Sequence, residues 1–305
     1  MNKMNSHFRI GVAVRTSSLA ISLVSWLSPV VGQVNLLREH SMEVAGQPRR
    51  YLVCEMMEGV TPAAILLVLH GGSMDAQKMA DLARLHEHAT TERLLVVYPE
   101  GIDGTWNVHQ HPERSDDVEF ICRLVDELRR DSSCCRHVFA VGLSAGAAMN
   151  HRLAISAAER FDGFINVVGN MPEWKDSTLQ LRQPVSVLLV FGKNDPLARY
   201  DGGDVVIDGQ VIDRVQSVNA TVGAYLRCNK NAGPPETRRI PETNVYHLRY
   251  RKGECGSQVV IHMMQDGGHC WPGGPPPTDL SLLGNWVMDY SATDATICFI
   301  RSCMK

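Results

Sequence analysis

Val138-Phe139-Ala140-Val141-Gly142-Leu143-Ser144-Ala145-Gly146-Ala147-Ala148-Met149 is the stretch that decides how this chain is read. The apolar run at its start suits a strand, and the small residues at its end suit a helix packed close to that strand. Between them, Gly-x-Ser-x-Gly makes a sharp strand-to-helix turn. Gly142 and Gly146 carry no side chain to clash where strand and helix cross. Such a turn lifts the Ser144 hydroxyl above the sheet and sets free helix N–H groups behind it, where they favour negative charge. The chemistry indicated is nucleophilic attack by serine. The competing reading is a glycine-rich turn whose serine only caps a helix.

Outward from this turn, the chain alternates apolar strands with helical segments. Ile65–Leu69, Leu94–Tyr98, Gly163–Val168, Pro184–Phe191 and Val259–Met264 read as strands, the first two as runs buried on both faces. Ala76–Thr91, Val118–Arg130 and Thr293–Ile300 read as helices, and an opening β-hairpin surrounds Gly46-Gln47-Pro48. The pattern predicts a mainly parallel sheet with helices on both faces, as one domain. Active residues then collect at the carboxyl ends of the strands. His70, Ser144, Asp195 and His269 all follow predicted strands.

A serine nucleophile needs a base, and the base needs a carboxylate to fix its tautomer. In this kind of sheet the chain order is serine, acid, histidine. His151 falls in the helix after the nucleophile, and His247 and His262 fall within strand-like runs, so all three read as structural imidazoles. His269 lies in the glycine-rich loop Gln265–Gly274 after the last predicted strand and is the expected base. Asp195, just past the strand ending at Phe191, is the expected acid; Asp201, Asp204 and Asp266 are its rivals. The oxyanion donors are expected to be the N–H of Ala145 and that of Gly72, with Ser73 the alternative in the same loop. His70 is expected to brace that loop.

The chain has 305 residues, 44% hydrophobic and 21% charged, with a net charge of −3. Those values permit a large core, and the mildly acidic balance gives no electrostatic footprint for nucleic acid. Lys3, Arg9 and Arg15 precede an apolar stretch, Leu19–Val31, and Val30-Val31-Gly32 offers a cleavage site. Residues 1–32 are therefore expected to be a signal peptide, the rest to be one secreted catalytic domain, extracellular or periplasmic, without a stable membrane span. Nine cysteines suit an oxidising compartment. Cys228 and Cys255 flank a Gly-, Pro- and charge-rich segment and form the preferred disulfide; Cys298 and Cys303 are a second candidate pair. No Cys/His set has zinc spacing, so no metal is expected.

The ordered motifs resemble one known group. They are Leu69-His70-Gly71-Gly72, Tyr98-Pro99-Glu100-Gly101 with Trp106-Asn107, Asp116-Asp117-Val118 with Phe120, the Ser144 turn, Asp195 with Tyr200-Asp201-Gly202-Gly203, Gly268-His269 with Trp271-Pro272-Gly273-Gly274, and Ser291-Ala292-Thr293. The set is similar to the secreted poly(3-hydroxybutyrate) depolymerase and feruloyl esterase family of α/β-hydrolases. That resemblance implies an α/β-hydrolase fold, a covalent acyl-enzyme and no cofactor. It implies Ser144, Asp195 and His269 as the triad, Trp106 and Trp271 lining the substrate groove, and Cys228 paired with Cys255. The rings would stack on an aromatic acyl group or a sugar; the plainer reading is ordinary loop packing. Ala147 stands where the family usually has glycine, Phe191 where histidine is frequent, and Ala198-Arg199 where Val-Pro is usual. Cys270 separates His269 from Trp271. With no separate polymer-binding module expected, soluble hydroxyalkanoate oligomers or related polyesters are the leading substrate class. Feruloyl or acetylxylan esters of plant polysaccharides come second, and a non-catalytic binding protein on the same scaffold is the reading from another class.

Overall fold

Six strands pair in parallel at the centre of a ten-stranded sheet, in the order β1-β2-β4-β3-β5-β6-β7-β12-β11-β10. The computed structural model describes residues 36–131, 135–176 and 178–305; the expected signal peptide, residues 1–32, lies outside them. The chain runs β1 (Leu37–Val44), β2 (Gln47–Cys54), β3 (Ala64–Leu69), α1 (Ala76–Ala83), α2 (Ala89–Glu92), β4 (Leu94–Pro99), α3 (Asp117–Asp131), β5 (His137–Leu143) and α4 (Ala145–Ser156). It continues through β6 (Gly163–Val167), β7 (Ser186–Gly192), β8 (Gly203–Ile207), β9 (Gln210–Val215) and α5 (Val218–Asn229). It ends with β10 (Glu236–Arg239), β11 (Val245–Arg249), β12 (Val259–Met264), α6 (Leu280–Leu283) and α7 (Ala292–Cys303).

Strand β3 shows why both faces are covered. Ile65, Leu67 and Leu69 join the core that also holds Phe120 of α3, Met149 of α4 and Tyr225 of α5. Ala64, Leu66 and Val68 join the opposite core, with Met79 of α1 and Phe299 of α7. A continuous apolar run is what a strand with two dry faces requires. The chain passes from β3 outward to β4, then crosses back to place β5 on the other side of β3. This reversal leaves a crevice at the carboxyl ends of β3 and β5, where Ser144 and Gly72 emerge. The fold is the α/β-hydrolase fold expected from the sequence.

Several local readings need correction. The opening hairpin turns at Ala45-Gly46, both at positive φ, so Gln47 and Pro48 already belong to β2. The helix expected over Ala76–Thr91 breaks at Arg84, which caps α1 at φ 52°. The Ala83 carbonyl, a group that continuing the helix would use, accepts instead from Thr293 Oγ1 at 2.7 Å. A separate β8–β9 hairpin occupies what read as loop around Asp204.

The expected Cys228–Cys255 disulfide is absent, and both residues are free thiols. Other contacts hold those segments together: Lys230 pairs with Glu254, and Asn231 Nδ2 donates to the Arg251 carbonyl at 2.7 Å. Cys298 and Cys303 both belong to α7, where a five-residue separation turns the side chains well apart around the axis.

Two buried histidines contribute to the protein's response to acid. In the core beneath α4, Tyr225 OH lies 2.9 Å from His151 Nδ1, and His151 Nε2 lies 3.3 Å from the Gly169 carbonyl. The carbonyl can only accept, so Nε2 carries the proton; burial disfavours a second one, and Nδ1 accepts from the Tyr225 hydroxyl. Burial pulls the His151 pKa down to about 4. His262, packed against His247 and Tyr290, falls to about 3 because of burial and then the neighbouring His247. A lowered pKa in the fold gives stability that is complete above about pH 6.5 and is lost as pH falls toward the folded values. The urea midpoint should therefore be level from pH 8 to 7 and drop between pH 6.5 and 4, with His151 alone contributing roughly 3 kcal/mol. Circular dichroism of wild type beside His151→Gln checks this, since the variant should show a shallower acid slope.

Candidate active site

Ser144 sits at φ 51°, ψ −111°, a conformation that a non-glycine residue adopts only when its surroundings impose it. Its N–H donates to the Val167 carbonyl at 2.9 Å and its carbonyl accepts from the Ala148 N–H at 2.9 Å, so strand and helix both hold it. The glycines on either side let those elements touch. A Cβ on Gly142 would lie 2.3 Å from the Gly146 carbonyl carbon, and one on Gly146 would lie 2.4 Å from the Leu69 oxygen. Ala147, the departure from the family's glycine, fits because Gly169 faces it; a Cβ there would come within 2.5 Å of the Ala147 methyl.

The sheet brings three distant residues into one line. Ser144 Oγ lies 2.7 Å from His269 Nε2, and His269 Nδ1 lies 2.8 Å from Asp195 Oδ2. Asp195 Oδ1 accepts from the N–H groups of Leu197 and Ala198, both at 2.8 Å, so only its other oxygen faces the imidazole. His269 and Asp195 are buried while Ser144 is partly exposed. In this arrangement the Nδ1–H donates to the carboxylate and leaves Nε2 free to accept the serine proton. Asp266, a rival acid, bonds Asn244 instead, and Asp204 pairs with Arg214 on the β8–β9 hairpin.

The loop after β3 approaches the serine closely: a Cβ on Gly72 would lie 3.9 Å from the Ala145 methyl. The Ser73 N–H is committed to the Gly104 carbonyl at 2.9 Å, which leaves Gly72 as the candidate donor of the two. Ala145 opens α4, so its N–H has no partner within the helix. His70 braces this loop from below. Its Nε2 accepts from the Gly101 N–H at 2.9 Å and its Nδ1 donates to the Gly71 carbonyl at 2.7 Å, which requires a neutral ring. Burial lowers its pKa accordingly.

Trp106 and Trp271 do not line a groove. Trp106 is 3% exposed, lies 4.7 Å from the His70 ring and donates its indole N–H to the His70 carbonyl. Trp271 is 1% exposed and donates to Thr293 Oγ1, the hydroxyl that in turn bonds Ala83. Both rings are satisfied core plugs, one under the oxyanion loop and one under the base loop. The base loop is further tied by the His269 N–H to the Leu283 carbonyl at 2.6 Å. The aromatic wall of an open cavity on this side of the sheet comes instead from Trp174 and His109, which meet edge to face at 5.4 Å. No motif marks either residue. Their one signal is position, in the loops that follow β6 and β4. Among the described residues no cluster of His, Cys, Asp or Glu is placed to hold a metal ion.

Gly146→Ala tests the turn directly. The added methyl meets backbone, so stability should fall by about 1–3 kcal/mol. Ser144 labelling by a fluorophosphonate should slow roughly 10²-fold through displacement of the hydroxyl. Thermal unfolding and labelling kinetics measure the two effects separately.

No known family model matches this sequence. The chain is 29% identical over 304 residues to "Putative esterase NocK" of Nocardia uniformis subsp. tsuyamanensis, covering 89% of this chain and 84% of that protein. It is 25% identical over 183 residues to "Probable feruloyl esterase C" of Aspergillus niger, covering 58% of this chain and 65% of that one. Among solved structures, an acetyl xylan esterase from Aspergillus awamori superposes with a TM-score of 0.55 at 14% identity, over 77% of this chain and 93% of its own, a likeness of fold. Esterase relatives and a serine–histidine–aspartate line on this scaffold together make the chain a carboxylic-ester hydrolase with the α/β-hydrolase fold.

Proposed function

We propose that this chain is an exported serine esterase acting on hydroxyalkanoate oligomers or related polyesters through an acyl-enzyme on Ser144. The observation that carries the catalytic part is the unbroken line from Ser144 Oγ through His269 to Asp195. His269 Nε2 takes the hydroxyl proton as Oγ attacks the ester carbonyl. The N–H groups of Gly72 and Ala145 receive the oxyanion, with the positive end of α4 behind them. His269 then returns the proton to the departing alcohol, and water, activated by the same imidazole, releases the acid.

The substrate class is supported by the ordered motifs from Leu69 to Thr293, and export by the basic-then-apolar N-terminus. A second reading, a feruloyl or acetylxylan esterase, is supported by the names of the A. niger and A. awamori proteins. The decisive experiment compares hydrolysis of 3-hydroxybutyrate trimer, methyl ferulate, acetylated xylan and p-nitrophenyl acetate. A kcat/KM that peaks on the trimer is expected; a peak on ferulate or acetylxylan would replace the oligoester reading with the second. Ser144→Ala should abolish turnover of every substrate, and Asp195→Asn should lower kcat roughly 10⁴-fold by freeing the wrong tautomer. A folded Ser144→Ala protein that kept its activity would refute the acyl-enzyme.

A further inference from the structure

Arg152 stands two turns along α4 from Ser144, about 12 Å on the helix axis. Its side chain is 4% exposed, yet Nε and Nη1 have no hydrogen-bond partner among the described residues. Only Nη2 is engaged, with Gln110 Oε1. The guanidinium carbon lies 5.6 Å from the centre of the Trp174 ring, and the indole Nε1 of that tryptophan is also buried without a partner. Three buried donors are therefore left without a partner, and the one neutral acceptor beside them, Gln110 Oε1, serves Nη2. Leaving such groups unpaired is costly, most of all for a charged one. Asp116 and Asp176 act on Arg152 through charge alone, without a hydrogen bond.

Arg152 itself does not line open space; its neighbours Gln110 and Trp174 do. Gln110 and Trp174 form part of the wall of a cavity of about 730 Å³, with His109 and Lys175 beside them. The loops that build it follow the carboxyl ends of β4 and β6, the same end of the sheet as Ser144. The carboxylates of Glu173 and Asp213 on its rim are occupied by Arg214 and His109. Asp176, also on the wall, accepts from the Thr178 N–H, so no carboxylate of the cavity hydrogen-bonds the two free guanidinium nitrogens. A carboxylate matches the guanidinium edge in geometry and charge, which an ester carbonyl or a hydroxyl does not.

We infer that this cavity is a subsite for the free carboxylate end of the substrate, held by Arg152 and Trp174 Nε1 in place of the Gln110 amide. The inference rests on the oligoester reading, in which every linear substrate ends in a carboxylate. It makes the enzyme terminus-directed: the acid end is anchored beside α4 and an ester bond a fixed distance away is presented to Ser144.

The test measures kcat and KM for 3-hydroxybutyrate trimer as the free acid and as its methyl ester, with p-nitrophenyl acetate as a third substrate. Wild type should favour the free acid about tenfold in kcat/KM, through KM, and Arg152→Met should bring the ratio of acid to ester near one. Arg152→Lys, which keeps a charge without the fork, should restore part of the preference. Equal turnover of acid and methyl ester by wild type overturns the subsite while leaving the oligoester reading intact. A preference retained in folded Arg152→Met overturns the role of Arg152. Turnover of p-nitrophenyl acetate with neither trimer cleaved overturns the subsite and the oligoester reading together. If the methionine variant does not fold, the wild-type ratio alone decides.

Discussion

The backbone of Gly146 rests against the carbonyl oxygens of Leu69 and His70, closer than any side chain allows. That contact sets the distance between the nucleophile turn and the oxyanion loop, and hence the separation of Ser144 from Gly72. It also explains why the turn tolerates a serine at positive φ: Val167, Ala148 and the two crossing elements leave it no other conformation. Strain of this kind persists only where the surroundings over-determine it. Here they are β3, buried throughout, and β5, buried from Val138 onward, so the cost is borne by the well-packed centre of the sheet.

Around that contact the supporting structure is polar as well as apolar. His70 holds Gly71 and Gly101 with its two nitrogens, and Trp106 closes over it. Beneath α4, Asn150 bonds Asn166 and His151 bonds Tyr225, inside an otherwise hydrophobic core. Buried polar contacts of this kind specify an arrangement more sharply than hydrophobic packing does. Two groups on the helix are left over, Asn150 Oδ1 and the Nε and Nη1 of Arg152, and it is the arginine that bonds a residue of the cavity wall.

The central sheet was legible because strands with two dry faces leave continuous apolar runs, and Ser144, Asp195 and His269 follow such runs. The broken helix at Arg84 was not, because its cause is a hydroxyl at Thr293, more than two hundred residues away. The β8–β9 hairpin carried a readable signal, Asp208-Gly209 between Val205-Val206-Ile207 and Val211-Ile212, both turn residues being at positive φ. The sequence leaves Trp106 and Trp271 open between groove and packing for a physical reason: an indole that seals a loop and one that lines a groove have the same sequence neighbourhood. Only the hydrogen-bond partner separates them. Cys228 and Cys255 looked like a staple because their intervening segment is loop-like, while an ion pair and a side-chain amide secure its ends.

Thr293 joins three parts of the molecule: its hydroxyl takes the Trp271 indole and gives its proton to the end of α1. The loop carrying His269 is thus seated on α7, which follows it in the chain. During synthesis the nucleophile and the oxyanion loop emerge well before that helix. The base cannot be locked in place until α7 has left the ribosome and docked. A nascent chain paused short of Thr293 therefore carries a serine whose base has no firm seat, so full reactivity waits on the docking of α7.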